Sequence, residues 1–424
     1  MSELDQRRSN NQYKDSEYLG AKDAAAFLDV KLPTLYAYTS RGLVRSVPGP
    51  KGRARRYLRS DLERLRARRD ARSGHGPVAA AALRFGEPVL DTHLTAIDAK
   101  RGPVYRGHLA VDLANAGASF ERVSELLWTG TLPAEPVRWF ASDLGVPSTA
   151  VQGLLPDNAT PVEKLSVLVP LLAAHDPGRF ATRTEAVLPR ARVLMRRMAA
   201  SLVKRFDTDS VHRVLEAPSM AAALATALGA PPGEPSIRAL DRALVLCADH
   251  ELNASAFAAR IAASTGADVY ACVSAALASL TGPRHGGAAD RIEALLDEVE
   301  DPEHAEQVVH ERARRGESTE GFGHALYPAG DPRGIDLLAR AEELNSDSRR
   351  VRTCRALVEA MEPSGVGPTV ELGIVALACA LGLPRGSAAG WFAMARCTGW
   401  VAHSLEQYEA GYLLRPRARY TDHE

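Results

Sequence analysis

"LTGPRHGGAADRIEALL", residues 280–296, sets a single histidine, His285, among glycines and then runs directly into an amphipathic pattern. Ile292, Leu295 and Leu296 recur at the three- and four-residue spacing of one helix face. Glycine neighbours let a ligand approach the backbone closely, so a histidine at this junction is a candidate for chemistry as well as for packing. The same period continues outward. "DVYACVSAALASL" (268–280) lies immediately upstream, and "SFERVSELLW" (119–128), "ATRTEAVLPRARVLMRRMAASLVKRF" (181–206) and "GIDLLARAEEL" (334–344) repeat the pattern. Only "PVYRGH" (103–108) hints at a strand. No repeat of solenoid length and no low-complexity tract interrupts the series. These patterns predict a large, mainly α body.

The chain has 424 residues, of which 46% are hydrophobic, more than one domain normally requires. At least two units are expected. Five cysteines, at 247, 272, 354, 379 and 397, have no paired spacing, which argues against a disulfide framework and fits a reducing cytoplasm. The longest apolar run, "GIVALACALGLP" (373–384), is too short to span a bilayer, and no membrane association is expected. Cys247 and His250 in "CADH" stand three apart without a second ligand pair, so no metal site is predicted. "GFGHAL" (321–326) has Leu326 where the third glycine of a dinucleotide fingerprint belongs, and that reading fails.

The formal net charge of zero conceals a division. Residues 1–76 carry 17 Lys+Arg against 9 Asp+Glu, a balance of +8, and the remainder carries −8. A basic head on an acidic body points to a polyanionic partner. Residues 1–16 read as a disordered lead-in, residues 17–72 as the head, residues 73–84 as a linker, and residues 85–424 as the body. In "LGAKDAAAFLDVKLPTLYAYTSRGLV" (19–44), two short helical patterns flank a break at Asp29–Pro33. Ala24, Ala25 and Leu28 supply the first apolar face, and Leu35 and Tyr38 supply the second. "PGPKGRARRY" (48–57) reads as a basic wing, and "SDLERLRARRDAR" (60–72) as a helix with Ser60 as cap and Glu63 closing its box. This order resembles the winged helix-turn-helix of the MerR and excisionase type. The resemblance implies DNA binding, with Thr34 and Tyr36 on the recognition helix and Arg41, Arg45, Lys51, Arg53, Arg55 and Arg56 neutralising phosphates.

In the body, three histidines stand out: His250 in "ADHELNAS", His285, and His324 in "GFGHALYPAGDPR", the last followed by Arg333, a residue type suited to carboxylates. Glu371 is the only acidic residue from Pro363 to Leu405 and opens the apolar run "VELGIVALACALG". A carboxylate there is costly unless it is partnered or used.

The body resembles the citrate synthase family from "LDTHLTAIDAKRGPVYRGH" to "LLRPRARY". The resemblance is densest in "ADHELNASAFAARIAASTGADVYACVSAALASLTGPRHGGA", "GFGHALYPAGDPR" and "WFAMARCTGWVAHSLEQ". It implies a mainly α, two-domain fold whose smaller part, about residues 283–370, closes over a cleft. It further implies condensation of acetyl-CoA with oxaloacetate, the CoA thioester being substrate and no bound cofactor being required. His285 would stabilise the enolate, His324 would polarise the ketone, and Glu371 would remove the methyl proton. His250, Arg333, Arg396 and Arg415 would bind the keto acid, Arg415 being supplied by a partner within a homodimer. The sequence departs from the family at Glu371, where the family carries an aspartate; the base here is one methylene longer. Two alternatives accompany this expectation: a 2-methylcitrate synthase using propionyl-CoA, and a non-catalytic transcription regulator that senses metabolites through the same site.

Overall fold

A computed structural model of the chain describes residues 18–49, 55–72 and 89–416. The chain separates into two compact units, the head up to Asp91 and a body spanning Thr92–Pro416. The expected lead-in (1–16) and linker (73–84) lie outside the described residues.

Among the described residues, the head is a three-stranded antiparallel sheet with three helices. Strand β1 (Tyr18–Gly20) and β2 (Ser46–Pro48) both pair with β3 (Arg55–Leu58), in register Tyr18↔Leu58 and Ser46↔Tyr57. Helix α1 (Ala21–Phe27) presents Ala24 and Ala25 inward, and α2 (Leu32–Ser40), with Pro33 in its first turn, presents Leu35. Asp29 adopts a positive φ of 48° between them, the sharp break that the sequence places there. Leu28, Val44, Tyr57 and Leu62 complete this small core. Helix α3 (Arg59–Arg72) starts directly from β3, one residue before the expected cap. Ser60 is therefore inside the helix, and the Glu63 carboxylate accepts from Arg59 Nε at 3.1 Å.

The body opens with a small antiparallel sheet, β4 (Thr95–Asp98), β5 (Gly102–Tyr105) and β6 (His108–Leu109), which contains the expected strand. Helices α4 (Ala110–Asn115), α5 (Phe120–Thr129), α6 (Ser148–Leu154), α7 (Pro161–Ala174) and α8 (Thr184–Ser201) follow. Ser119 caps α5, and a complete capping box, Thr160 with Glu163, opens α7. Helix α8 stops at Ser201 although the apolar pattern runs to Phe206, because Asp207 takes the extended backbone of a cap and opens α9 (Thr208–Glu216). Then come α10 (Met220–Leu228), α11 (Glu234–Cys247), α12 (Ala254–Ser264), α13 (Val269–Leu280), α14 (Ala288–Val299), α15 (Ala305–Arg315), α16 (Pro332–Asn345), α17 (Arg349–Met361), α18 (Val370–Ala380) and α19 (Ser387–Ala410).

Helix α19 explains the architecture. It is buried nearly all round along its length, including Trp391, Phe392, Met394, Trp400 and Val401, so it can only be a central helix surrounded by others. Helices α5, α11, α12 and α13 pack against it. A second close contact joins α16 to α18. A Cβ on Gly373 would stand 2.5 Å from Gly334 O, and one on Gly334 would stand 2.2 Å from Thr369 O. The missing side chains bring the two backbones together and fix the start of α18 beside the start of α16. Among the described residues, no helix is long and apolar enough to cross a membrane.

Candidate active site

Five segments of the body converge: the turn from α11 to α12, the 282–287 loop, the 321–333 loop with the start of α16, the first turn of α18, and the middle of α19. Local chemistry positions each. Asn253 caps α12 by accepting from the backbone N–H groups of Ser255 and Ala256, both at 3.1 Å. This closes the turn that carries His250, and Glu251 within it holds a positive φ of 55°. The 321–333 loop is tied to the segment before α18 by Thr369 N donating to Gly321 O (2.8 Å), Gly323 N to Gly367 O (3.0 Å) and Asp331 N to Pro368 O (2.8 Å). Those bonds bring Glu371, in the first turn of α18, to the side of His324.

His250 and His324 meet edge to face, their ring centroids 5.7 Å apart. Tyr327 lies against both, with its hydroxyl 2.9 Å from His250 Nε2 and its ring centroid 5.3 Å from that of His324. The backbone N–H of Leu326 donates to His324 Nδ1 at 3.2 Å. The neutral ring therefore carries its proton on Nε2. His285 Nε2 lies 2.9 Å from Ser255 Oγ, which accepts from Trp400 Nε1 at 3.0 Å. Burial lowers the basicity of all three histidines. His285 is brought down to about 4, with the Arg396 charge adding to burial. His250 falls well below its usual value through burial and then through Arg333 and Arg396. For His324, burial outweighs the opposing pull of Glu371 and Asp331. Three neutral imidazoles therefore share the site near neutral pH.

Two guanidinium groups supply its charge. Arg333 is 1% exposed, and its Nε and Nη2 donate to Asp331 at 3.0 and 2.6 Å. Burial alone would lower the Arg333 pKa, but Asp331 drives it up. The family resemblance implies that Arg333 grips a carboxylate of the keto acid. The structure commits one edge to Asp331, because a fully buried guanidinium needs a countercharge and the cap of α16 provides one. Among the described residues, its Nη1 has no partner. Arg396 is buried, its guanidinium carbon 4.8 Å from the Phe392 ring centroid, and its Nε and Nη1 have no hydrogen-bond partner among the described residues. Burial and then repulsion from Arg333 depress its pKa. Buried donors left unmade on two converging cations describe a site for an anionic acceptor such as a carboxylate.

Six of the seven body residues singled out in the sequence thus come together: His250, His285, His324, Arg333, Glu371 and Arg396. Arg415 does not. It is exposed beyond the end of α19, and among the described residues it makes no hydrogen bond or ion pair. Sequence reasoning missed Tyr327, Ser255, Trp400 and Asp331. Asp331 carried a usable signal, since Asp before Pro is a helix-start pattern. The other three are ordinary residue types whose role depends on what folds against them. No group of residues with metal-binding geometry occurs among those described.

In the head, Tyr36 is 51% exposed, Lys31 and Arg41 are exposed, and Thr34 is partly buried on the same helix. Arg55 lies exposed on β3. Arg45 is a correction to the expected phosphate contacts: its guanidinium and its backbone N–H all bind Asp61, at 2.8 to 3.0 Å. Asp61 is nearly buried at the start of α3, and a buried carboxylate holds the nearest cation. Arg56 donates to Tyr18 O at 2.9 Å and helps fasten β1 to β3. Lys51 and Arg53 lie outside the described residues.

Comparison with known proteins gives two matches along the chain. Residues 84–417 match the family described as "Citrate synthase, C-terminal domain", and residues 18–70 match a "Helix-turn-helix domain". The chain is 34% identical to the citrate synthase of Haloferax volcanii over 357 residues, covering 79% of this chain and 94% of that protein. It is 31% identical to the 2-methylcitrate synthase of Mycobacterium tuberculosis, covering 76% of this chain and 84% of that protein. Among solved structures, citrate synthase from Thermoplasma acidophilum, in ternary complex with carboxymethyl coenzyme A and oxaloacetate, superposes with a TM-score of 0.71 at 28% identity, covering 81% of this chain and 96% of that one.

Proposed function

The chain belongs to the citrate synthase family, and from that premise we propose that its body condenses acetyl-CoA with oxaloacetate and hydrolyses the product thioester to citrate and CoA. The observation that carries the reading is the pair of buried guanidiniums with unmade hydrogen bonds beside three neutral histidines. In this reading Arg333 Nη1, Arg396 and His250 take the keto acid, and His324 donates from Nε2 to its ketone oxygen. Glu371 removes a proton from the thioester methyl group, and His285 holds the carbonyl oxygen on which enolate charge develops. The enolate carbon forms a bond to the ketone carbon, the alkoxide takes up a proton, and water then displaces CoA from the citryl thioester.

Residues 283–370 would form the smaller, closing part, which excludes water once both substrates are bound. A homodimer would bring Arg415 to the neighbouring site, in keeping with its exposed position beyond α19. The cytoplasm would supply both substrates. The test is CoA release by purified protein with oxaloacetate and with acetyl-CoA or propionyl-CoA. His285→Asn and Glu371→Gln should each depress turnover strongly while oxaloacetate still binds; equal release by wild type and both variants overturns the assignment. Faster release with propionyl-CoA would make the protein a 2-methylcitrate synthase. Oxaloacetate binding without CoA release from either thioester would favour the metabolite-sensing regulator.

A second activity is favoured by the exposed Lys31, Tyr36, Arg41 and Arg55 on a helix-turn-helix domain with a basic balance: the head binds DNA. Mobility-shift titration of genomic fragments, with and without oxaloacetate, tests both the binding and any coupling to the body. Retention of no fragment excludes sequence-specific reading.

A further inference from the structure

Behind the keto-acid pocket lies a pair of ionisable side chains that the condensation does not use. Asp249 is 1% exposed and His403 is 0% exposed, and His403 Nε2 stands 3.5 Å from Asp249 Oδ1. Neither ring nitrogen of His403, nor Asp249 Oδ2, has a hydrogen-bond partner among the described residues. Two buried polar groups left in this state are costly, and a pair of well-packed apolar residues would hold the same helices together at least as well.

Their neighbours point to the pair's use. Arg396, Gly399 and His403 follow one another at spacings of three and four, so they share a single stripe of α19. That stripe faces the turn carrying His250. Gly399 N donates to Ala248 O at 3.1 Å, and a Cβ on Gly399 would stand 2.1 Å from Asp249 Oδ1. From the other side, Tyr105 on β5 fastens the same turn, its hydroxyl donating to Leu246 O at 3.0 Å and accepting from Asp249 N at 3.4 Å. Asp249 and His250 are consecutive, so the orientation of one constrains the other. Glu251, with its positive φ, holds a backbone conformation that persists only where its surroundings impose it. Charge agrees with geometry. Burial pushes the Asp249 carboxyl up, but His403, the nearby Thr95 hydroxyl and the Arg396 guanidinium together hold it below the usual carboxylate range. A charged Asp249 thereby faces an Arg396 that has no ion pair of its own among the described residues.

We propose that Asp249 and His403 are positioning residues of the keto-acid site: the pair locks the 249–251 turn onto α19 and so aims the His250 ring and the Arg396 guanidinium at the substrate. The proposal rests on the keto-acid reading above. Glu371, which serves the thioester, lies on another segment, and His285 is joined to this turn at one remove, through Ser255 on α12, so the pair's influence should fall chiefly on the keto acid.

The experiment uses full-length His403→Gln and Asp249→Asn. Oxaloacetate dissociation constants are measured by calorimetry, the KM for each substrate by CoA release, and the unfolding temperature of each variant is recorded. A misaimed charged hydrogen bond loses most of its contribution to binding, so the oxaloacetate dissociation constant and KM should rise by about ten- to a hundredfold. The KM for acetyl-CoA should stay within about twofold, and the double variant should be no worse than the weaker single one, as for two members of one unit. If His403→Gln does not fold, Asp249→Asn, which preserves volume, decides alone. Oxaloacetate constants unchanged from wild type overturn the proposal. So do equal losses for both substrates accompanied by a lower unfolding temperature, which would make the pair structural only. A wild type that binds oxaloacetate but releases no CoA breaks the catalytic reading alone, since the dissociation constants still report the pair; one that binds no oxaloacetate breaks both.

Discussion

The head and the body use arginine in opposite ways. In the body, Arg333 and Arg396 are buried, and between them three nitrogens have no hydrogen-bond partner among the described residues. In the head, Lys31, Tyr36, Arg41 and Arg55 stand exposed, and Arg45, whose acidic partner Asp61 is nearly buried, is committed to it. A buried cation with unmade bonds is destabilising until a ligand completes it, so its existence argues for a specific anion. An exposed cation has little cost and little individual effect, and only its number and spacing on a surface carry function. The body's site is therefore legible one residue at a time, and the head's only as a sum.

The sharpest way to break that contrast is Arg396→Met. Truncating one partner of a desolvated charged contact costs about 2–5 kcal/mol, so keto-acid affinity should fall by roughly 30- to several-thousand-fold. Removing an incompletely compensated buried charge should at the same time leave the unfolding temperature unchanged or raised. Calorimetry with oxaloacetate and a thermal melt on one preparation measure both; a protein that loses stability and keeps its affinity would show Arg396 to be structural.

A smaller effect is expected from Gly399→Ala. The added Cβ must displace Asp249 or the Ala248 carbonyl. Overpacking of this kind costs about 1–3 kcal/mol. Denaturant melts should record that loss, whereas Gly42→Ala in the head, where open space surrounds the Cβ, answers only to its φ of 72°.

The titration of His285 sharpens the same comparison. Its folded pKa is depressed to about 4 by burial and then by Arg396. The unfolded chain protonates near the ordinary value of about 6.5, so the neutral folded ring contributes stability above that pH and loses it progressively down to about 4. Wild type should consequently lose stability relative to His285→Asn as pH falls through this window, a difference that paired melts at about pH 7 and about pH 5 measure. Equal pH dependence would mean that the ring titrates normally and is solvated.

The smallest effects belong to the head. Arg55→Ala should lower the slope of log affinity for DNA against log salt by about 1, one phosphate contact's worth, with stability unaltered. Arg45→Ala should leave that slope unchanged and lower the unfolding temperature, since its partner is Asp61. An exchange of those two phenotypes would reverse the assignment of which arginine faces DNA.

Sequence alone determined a good deal here. Helix periodicity identified a mainly α body, and the break at Asp29–Pro33 marked a helix boundary, because local backbone preferences act wherever those residues occur. The ordered motifs around His250, His285, His324, Arg333, Glu371 and Arg396 were visible before any contact was known. Which of those groups remain free was decided only by the fold. Arg45 and Arg333 read alike with Arg55 and Arg396 in the sequence, yet Asp61 and Asp331 engage the first two, whereas no carboxylate among the described residues pairs with the others. Tyr327, Ser255, Trp400, Asp249 and His403 acquire their roles from segments far away in the chain, as the pairing of Asp249 with His403 shows. Periodicity records which face of an element is buried. It carries no information about which charge meets which in the interior, where low dielectric and close distance set the outcome.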